Sequence, residues 1–176
     1  CVSGYLNELL GRSKPEFASI KYGGGIMLTI ETRKFLFEMA CTAVICDGRI
    51  DEREIKELHY IDTSTPYFND LDLSNDIDQF ISDYNQVGDE IINISLQKLK
   101  NKNLTPAQQL LTLEIILRII YSDEIIEDDE ISFIRSVRAS LPINDEIIID
   151  RFGEIDVLFS KDHSRMHFSK TGIKFS

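Results

Sequence analysis

Two acidic segments hold the side chains of this sequence that could most readily do chemistry. We call Asp47–Glu54 the first elbow and Asp123–Glu130 the second elbow, because each lies between two predicted helices. Three carboxylates in each elbow recur when the chain is shifted by 76 positions, from Asp47 to Asp123. They are Asp47, Asp51 and Glu54 in the first elbow, and Asp123, Glu127 and Glu130 in the second. Because Ca²⁺ and Mg²⁺ prefer oxygen ligands, we predict that these six residues bind a divalent cation weakly.

Helix capping is the alternative explanation for the same residues. Gly48 fits the end of one helix, and Asp51 with Glu54 has the spacing of a capping box at the start of the next. Asp47 fits capping least, because a carboxylate at a helix C-terminus meets the unfavourable end of the helix dipole. The second elbow fits less well than the first, since six carboxylates in eight residues repel one another and Glu127 is a poor N-cap. The sequence leaves both explanations open.

Neither elbow is a complete EF-hand loop. With Gly48 at position 6 of such a loop, Asp51 and Glu54 fall on ligand positions 9 and 12. Positions 1 and 3 fall on Ala43 and Ile45, which have no side-chain oxygen. One elbow could supply about three carboxylates and a carbonyl, so a fuller site would need both elbows. An oxygen-only ligand set without neighbouring histidine or cysteine favours calcium or magnesium over zinc.

Helical periodicity surrounds both elbows. Apolar residues occupy almost every side of 31–46 and of the helix that begins at Thr105–Pro106, so we predict two buried central helices. Gln108 stands three residues after Thr105, as in a capping box. Further amphipathic helices are predicted near 51–61, 77–84, 91–99, 131–141 and 145–159. The predicted fold is all-α, a pseudo-twofold bundle of about seven helices built from two helix–elbow–helix repeats near 31–61 and 107–137.

The two ends of the chain differ from this predicted helical domain, 31–159. Residues 1–30 are predicted as an extension with a glycine hinge at Gly23–Gly25. Residues 160–176 form a basic tail or linker, and its two apolar pieces could pair as a small hairpin. The basic side chains of this tail dock on the acidic body, dock on an acidic partner, or belong to a linker to a further domain. They are Lys161, Arg165, Lys170 and Lys174.

Composition narrows the classes of partner. The net charge of −11 argues against nucleic acid and anionic lipid as partners. No apolar stretch approaches the roughly 20 residues of a membrane span. Cys41 and Cys46 lie in an apolar run as packing residues and give no disulfide framework, so we expect a cytoplasmic protein. Cys1 is either a trimmed start or the terminus of a processed lipoprotein. No catalytic arrangement is evident, and we predict a non-enzymatic protein.

The first elbow resembles a sequence motif of a known protein family. Its sequence, Asp47–Gly48–Arg49–Ile50–Asp51–Glu52–Arg53–Glu54 after a buried helix, is similar to that of the TerB-like family of bacterial tellurite-resistance and stress-associated proteins. The helical domain of that family also resembles the membrane-proximal domain of a DnaJ-type co-chaperone. The second elbow is a degenerate copy without the glycine, and the resemblance covers about residues 31–159.

The resemblance implies a function without a settled enzymatic activity. It implies an all-helical pseudo-twofold fold, acidic elbows that hold a metal ion, and a role in membrane-associated stress or phage-defence systems. The alternative is a purely structural module that recruits a basic or membrane-associated protein partner. In that case the acidic elbows serve only as helix caps.

Overall fold

A computed structural model describes residues 28–122 and 125–159. Within these residues the protein has eight α-helices and no β-strand, which confirms the predicted all-α class. In chain order the helices are α1 Ile30–Ile45, α2 Glu52–Ser64, α3 Ser74–Val87, α4 Glu90–Asn101, α5 Pro106–Ile120, α6 Asp128–Ser140, α7 Asp145–Phe152 and α8 Asp156–Phe159. The predicted hinge, hairpin and basic tail lie outside the described residues.

Helices α1 and α5 form the centre of the bundle and pack against each other. Every side chain of α5 from Leu111 to Ile120 is buried, and so is every side chain of α1 from Phe35 to Ile45 except that of Glu38. Helices α2 and α6 both contact this central pair. A helix that is apolar all round needs neighbours on all sides, and the surrounding helices supply them. Within the described part of the chain, no helix is long and apolar enough to cross a membrane.

Threonine side chains begin both central helices. Thr29 accepts a hydrogen bond from the Thr32 N–H at 3.1 Å, which starts α1. Thr105 accepts one from the Gln108 N–H at 3.3 Å, and the Gln108 Oε1 accepts in return from the Thr105 N–H at 2.9 Å. The predicted capping box at Thr105 is therefore confirmed, and it satisfies backbone donors that the first turn of a helix otherwise leaves unpaired.

The helix boundaries recur at the predicted spacing. Helices α1 and α5 begin 76 residues apart, at Ile30 and Pro106, and helices α2 and α6 both begin and end 76 residues apart. This agreement supports an internal repeat of helix, elbow and helix. The twofold relation of the two copies in space stays a prediction.

The prediction of a single last helix over 145–159 is wrong. The chain leaves α7 at Phe152 and resumes in the short α8 at Asp156. Gly153 between them has φ +81°, and its N–H donates to the Ile149 carbonyl at 2.7 Å. A glycine in this left-handed conformation ends a helix at little steric cost, and it did so here inside a continuous amphipathic pattern.

Candidate cation site at the two elbows

A glycine turn shapes the first elbow where α1 ends. Gly48 has φ +76°, and its N–H donates to the Ile45 carbonyl at 2.9 Å. The Oδ1 atom of Asp47 accepts from the Arg49 N–H at 2.9 Å. An aspartate that bonds the backbone two residues on is a common way to fix a turn. Asp47 fits helix capping poorly, and this turn gives it a structural role instead.

Helix α2 begins with the predicted capping box. Asp51 is its N-cap residue, and its Oδ1 atom accepts from the Arg53 N–H at 2.7 Å. The Oε2 atom of Glu54 accepts from the Asp51 N–H at 3.3 Å. The side chain of Arg53 also bonds Asp51, and these bonds lower the pKa of the Asp51 carboxyl. Asp51 is thus paired within its own turn of the chain.

The second elbow begins α6 with the same glutamate contact. The Oε2 atom of Glu130 accepts from the Glu127 N–H at 2.7 Å. Glu130 stands at the third helical position of α6, as Glu54 does in α2. The prediction that capping explains the second elbow poorly is wrong for Glu130. Asp123 lies outside the described residues.

The fold brings the two capping glutamates near each other. Only 4% of Glu54 and 3% of Glu130 is exposed. Burial raises the pKa of Glu54 to about 9, and the charge of Glu130 is the next largest cause. This effect requires the two carboxyls to be close, since charges act strongly on a pKa only over a few ångströms. The sequence could not show that the elbows approach each other, and in the structure one buried carboxyl of each elbow lies in electrostatic range of the other.

Cys46 adjoins this pair of glutamates. Its Sγ atom donates to the Ala43 carbonyl at 3.1 Å. Burial raises the pKa of the Cys46 thiol, and the charges of Glu130, Asp47 and Glu54 raise it further. A cysteine therefore lies in electrostatic range of the predicted carboxylate ligands. A thiol with a raised pKa stays protonated and is a poor metal ligand, so hard cations remain the better match. We call Glu54, Glu130 and Cys46 the elbow junction.

Not all six predicted ligands point to one place. Across residues 28–122 and 125–159, no group of three or more Asp, Glu, His or Cys side chains is arranged to hold a metal ion. Asp51 is paired with Arg53, and Glu127 is exposed. Glu54 and Glu130 are the predicted ligands that the structure brings together, with Asp47 in electrostatic range. The complete ligand set, with Asp123, stays a prediction.

A buried hydroxyl at the second elbow was missed by sequence reasoning. Ser122 is 1% exposed, and its Oγ atom has no hydrogen-bond partner within the described chain. Leaving a buried hydroxyl unsatisfied costs about 1–3 kcal/mol, so the site suits a small polar ligand. Ser122 precedes Asp123 as Cys46 precedes Asp47, and this correspondence in the repeat could have drawn attention to both.

Two ion pairs fix the helix that leads into the second elbow. Arg118 of α5 bonds Glu57 of α2 at 3.0 Å, with both side chains buried, and lies over the Tyr60 ring. Four residues earlier on α5, Glu114 bonds Arg151 of α7. The pairing between α5 and α2 joins the helix before one elbow to the helix after the other.

Three comparisons with known proteins complete the description of the site. The sequence matches no protein-family model and no curated protein, and the structure matches no solved structure.

Proposed function

We propose that this protein is a non-enzymatic, TerB-like helical module that binds one Ca²⁺ or Mg²⁺ ion weakly at the elbow junction. The observation that carries the proposal is the burial of two glutamates, Glu54 and Glu130, one from each elbow, in electrostatic range of each other. Two buried carboxyls in electrostatic range cannot both ionise cheaply, because each loses hydration and repels the other. Either a proton or a cation removes that cost, and a divalent cation does so for both carboxyls at once.

Capping and cation binding are compatible roles for these glutamates. Each uses one oxygen to accept from the backbone N–H at the start of its helix. A carboxylate oxygen can accept from several directions, so a carboxylate that caps a helix can also interact with a cation. The orphaned Ser122 hydroxyl supports a hydrated ion at the same end of α5. Because the protein supplies so few ligands, we expect a Kd of about 10⁻⁴–10⁻³ M for the cation.

The cellular role rests on the resemblance of the first elbow to TerB-like proteins. We infer a cytoplasmic stress- or defence-associated module that works with a protein partner. The partner is basic or membrane-associated, because the chain carries 30 acidic against 19 basic side chains.

Thermal unfolding with and without cation tests the proposal. A ligand at ten times its Kd stabilises the protein that binds it by about 1.4 kcal/mol, so millimolar Mg²⁺ or Ca²⁺ should raise the Tm. Glu54→Gln should abolish that increase. Glu146→Gln is the matched control, because Glu146 is an exposed glutamate in the first turn of α7. Equal responses of the two variants would refute a site at the junction.

A purely structural interaction module is the second candidate. It is favoured by the hydrogen bonds at the elbows, which capping and turn formation explain without an ion. It predicts that calcium changes the Tm neither of the original protein nor of the variant Asp47→Asn/Asp123→Asn. The variant should nevertheless capture a basic or membrane-associated partner more weakly. A calcium-dependent Tm that both substitutions remove would exclude it.

A further inference from the structure

We propose that the second elbow is a docking surface for the basic C-terminal segment of this same chain, residues 160–176. This docking is distinct from cation binding at the elbow junction. It uses the outer side chains Ile125, Glu127, Asp128 and Asp129, which we call the second-elbow surface.

The second-elbow surface combines exposed charge with an exposed apolar side chain. Ile125 is 57% exposed, and Glu127, Asp128 and Asp129 are all exposed. None of these three carboxylates forms an ion pair with a described Lys or Arg. The first elbow differs, because Asp51 is paired with Arg53. An unpaired acidic surface around an isoleucine is complementary to a segment that alternates basic and apolar residues.

Residues 160–176 have that composition. They contain Lys161, Arg165, Lys170 and Lys174 against the single acidic residue Asp162. Apolar residues alternate with these cations, and they are Met166, Phe168, Ile173 and Phe175. The segment therefore has a net charge of +3, and the rest of the chain, with a net charge of −14, holds all of the excess acidic charge. Charge complementarity favours contact between the two parts of the molecule.

The segment also starts close to the surface that we assign to it. The Nε atom of Arg135 in α6 donates to the Val157 carbonyl at 2.9 Å, which holds α8 against α6. Asp156 lies near enough to Tyr121 that its charge adds to burial in raising the pKa of the Tyr121 hydroxyl. Tyr121 ends α5, two residues before the second elbow. The chain therefore leaves α8 in contact with α6 and in electrostatic range of the end of α5, the two helices that this elbow joins.

Tethering makes weak contacts effective. Seventeen residues in extended form reach about 55 Å, so length does not restrict the segment. A ligand on a short tether has an effective concentration of about a millimolar, which can saturate a site too weak for a free peptide. This favours the chain's own segment over a second copy or a separate basic protein.

Zero-length carbodiimide cross-linking of the full chain tests the proposal. Peptide mapping of the monomeric fraction should find amide links from Lys161, Lys170 or Lys174 to Glu127, Asp128 or Asp129. The variant Ile125→Ser/Asp128→Asn/Asp129→Asn should lower the yield of links to Glu127 at least about fivefold, and so should molar salt, which screens charges beyond about 3 Å. The control Val87→Ser/Asp78→Asn/Glu90→Gln removes the same charge and one exposed apolar side chain elsewhere, and should leave that yield unchanged.

Three results would overturn the proposal. Links spread over all exposed carboxylates would mean that the segment is attracted by the net charge of the protein and has no specific docking surface. Links between molecules only would assign the surface to a second copy. No links, together with capture of an added lysine-rich peptide, would assign it to a separate partner. None of these results bears on cation binding, which is measured at Glu54.

Discussion

The two elbows perform the same structural task with different chemistry. Each joins a buried central helix to an amphipathic one, and each buries a glutamate at the third position of the following helix. The first elbow turns at Gly48, fixes the turn with Asp47 and pairs Asp51 with Arg53. The second elbow has no glycine and no basic residue. The first elbow offsets two of its four carboxylates with Arg49 and Arg53, whereas the six carboxylates of the second elbow have no basic residue among them.

The capping glutamates that the two elbows share are the residues most suited to form one site common to both elbows. The capping glutamates occur in both elbows, are buried and lie in electrostatic range of each other, whereas the outer carboxylates differ in their surroundings. A cation at the junction would therefore depend mainly on Glu54 and Glu130. The outer carboxylates of the second elbow are then available to a basic segment. The following predictions test this division, from the largest expected effect to the smallest.

Loss of the buried ion pair between Arg118 of α5 and Glu57 of α2 should have the largest effect on stability. Arg118→Met leaves Glu57 buried without its guanidinium, and breaking such a pair costs about 3–5 kcal/mol. Chemical denaturation measures this loss. The control Arg53→Met removes an exposed pair of the first elbow and should cost less than about 1 kcal/mol. Equal costs would mean that burial does not distinguish these two pairs.

Gly48→Ala should destabilise the protein by about 1–2 kcal/mol, because φ +76° places a Cβ against the backbone. Steric overlap with neighbours is not the cause, since the nearest atom to an added Cβ is the Tyr84 hydroxyl at 4.0 Å. Gly48→Asn should lose less stability than Gly48→Ala, because asparagine tolerates this backbone conformation better than alanine does. Equal losses, measured by urea unfolding, would contradict the assigned backbone cause.

The pH dependence of stability should distinguish Glu54 from exposed glutamates. The folded pKa of about 9 lies above the ordinary value of 4.5, so the folded state retains a proton that the unfolded chain releases. The free energy of unfolding should therefore fall as pH rises from about 4.5 to 9, by at most about 1.4 kcal/mol per pH unit from this group. Glu54→Gln should flatten the fall, and Glu146→Gln should leave it. An unchanged slope in Glu54→Gln would show that Glu54 is ionised throughout.

Ser122→Ala should have the smallest effect on stability. Removing a buried hydroxyl that lacks a partner should stabilise the cation-free protein by up to about 1 kcal/mol. The same change should weaken cation binding if the hydroxyl faces the bound ion or its water. A loss of stability, measured by thermal unfolding without cation, would show that the hydroxyl has a partner in solution.

Local patterns predicted much of the fold. Thr105, Pro106 and Gln108 placed the start of α5, and the spacing of Asp51 and Glu54 placed the start of α2. These signals work because they satisfy backbone groups a few residues away. The same amphipathic pattern hid the break at Gly153, since periodicity records which face is buried and not whether one residue turns left-handed.

The candidate site depended on contacts that no local pattern encodes. Glu54 and Glu130 are far apart in the chain, and only packing of the central helices brings them together. The pairing of Glu57 with Arg118 is equally distant in sequence. The Asp47 turn was local, but the sequence analysis considered only helix capping for this residue. Cys46 was visible beside Asp47, and its relevance required the buried glutamates as neighbours.

An NMR titration with Mg²⁺ and Ca²⁺ tests the central claim most directly, because it follows both elbows in one sample. If one ion binds at the junction, backbone amides of 47–54 and of 125–130 should shift together and fit the same Kd. In Glu54→Gln the shifts of the second elbow should weaken as well, although the substitution lies in the first. Shifts confined to one elbow, different Kd values for the two, or no localised shifts at millimolar ion would contradict a shared site.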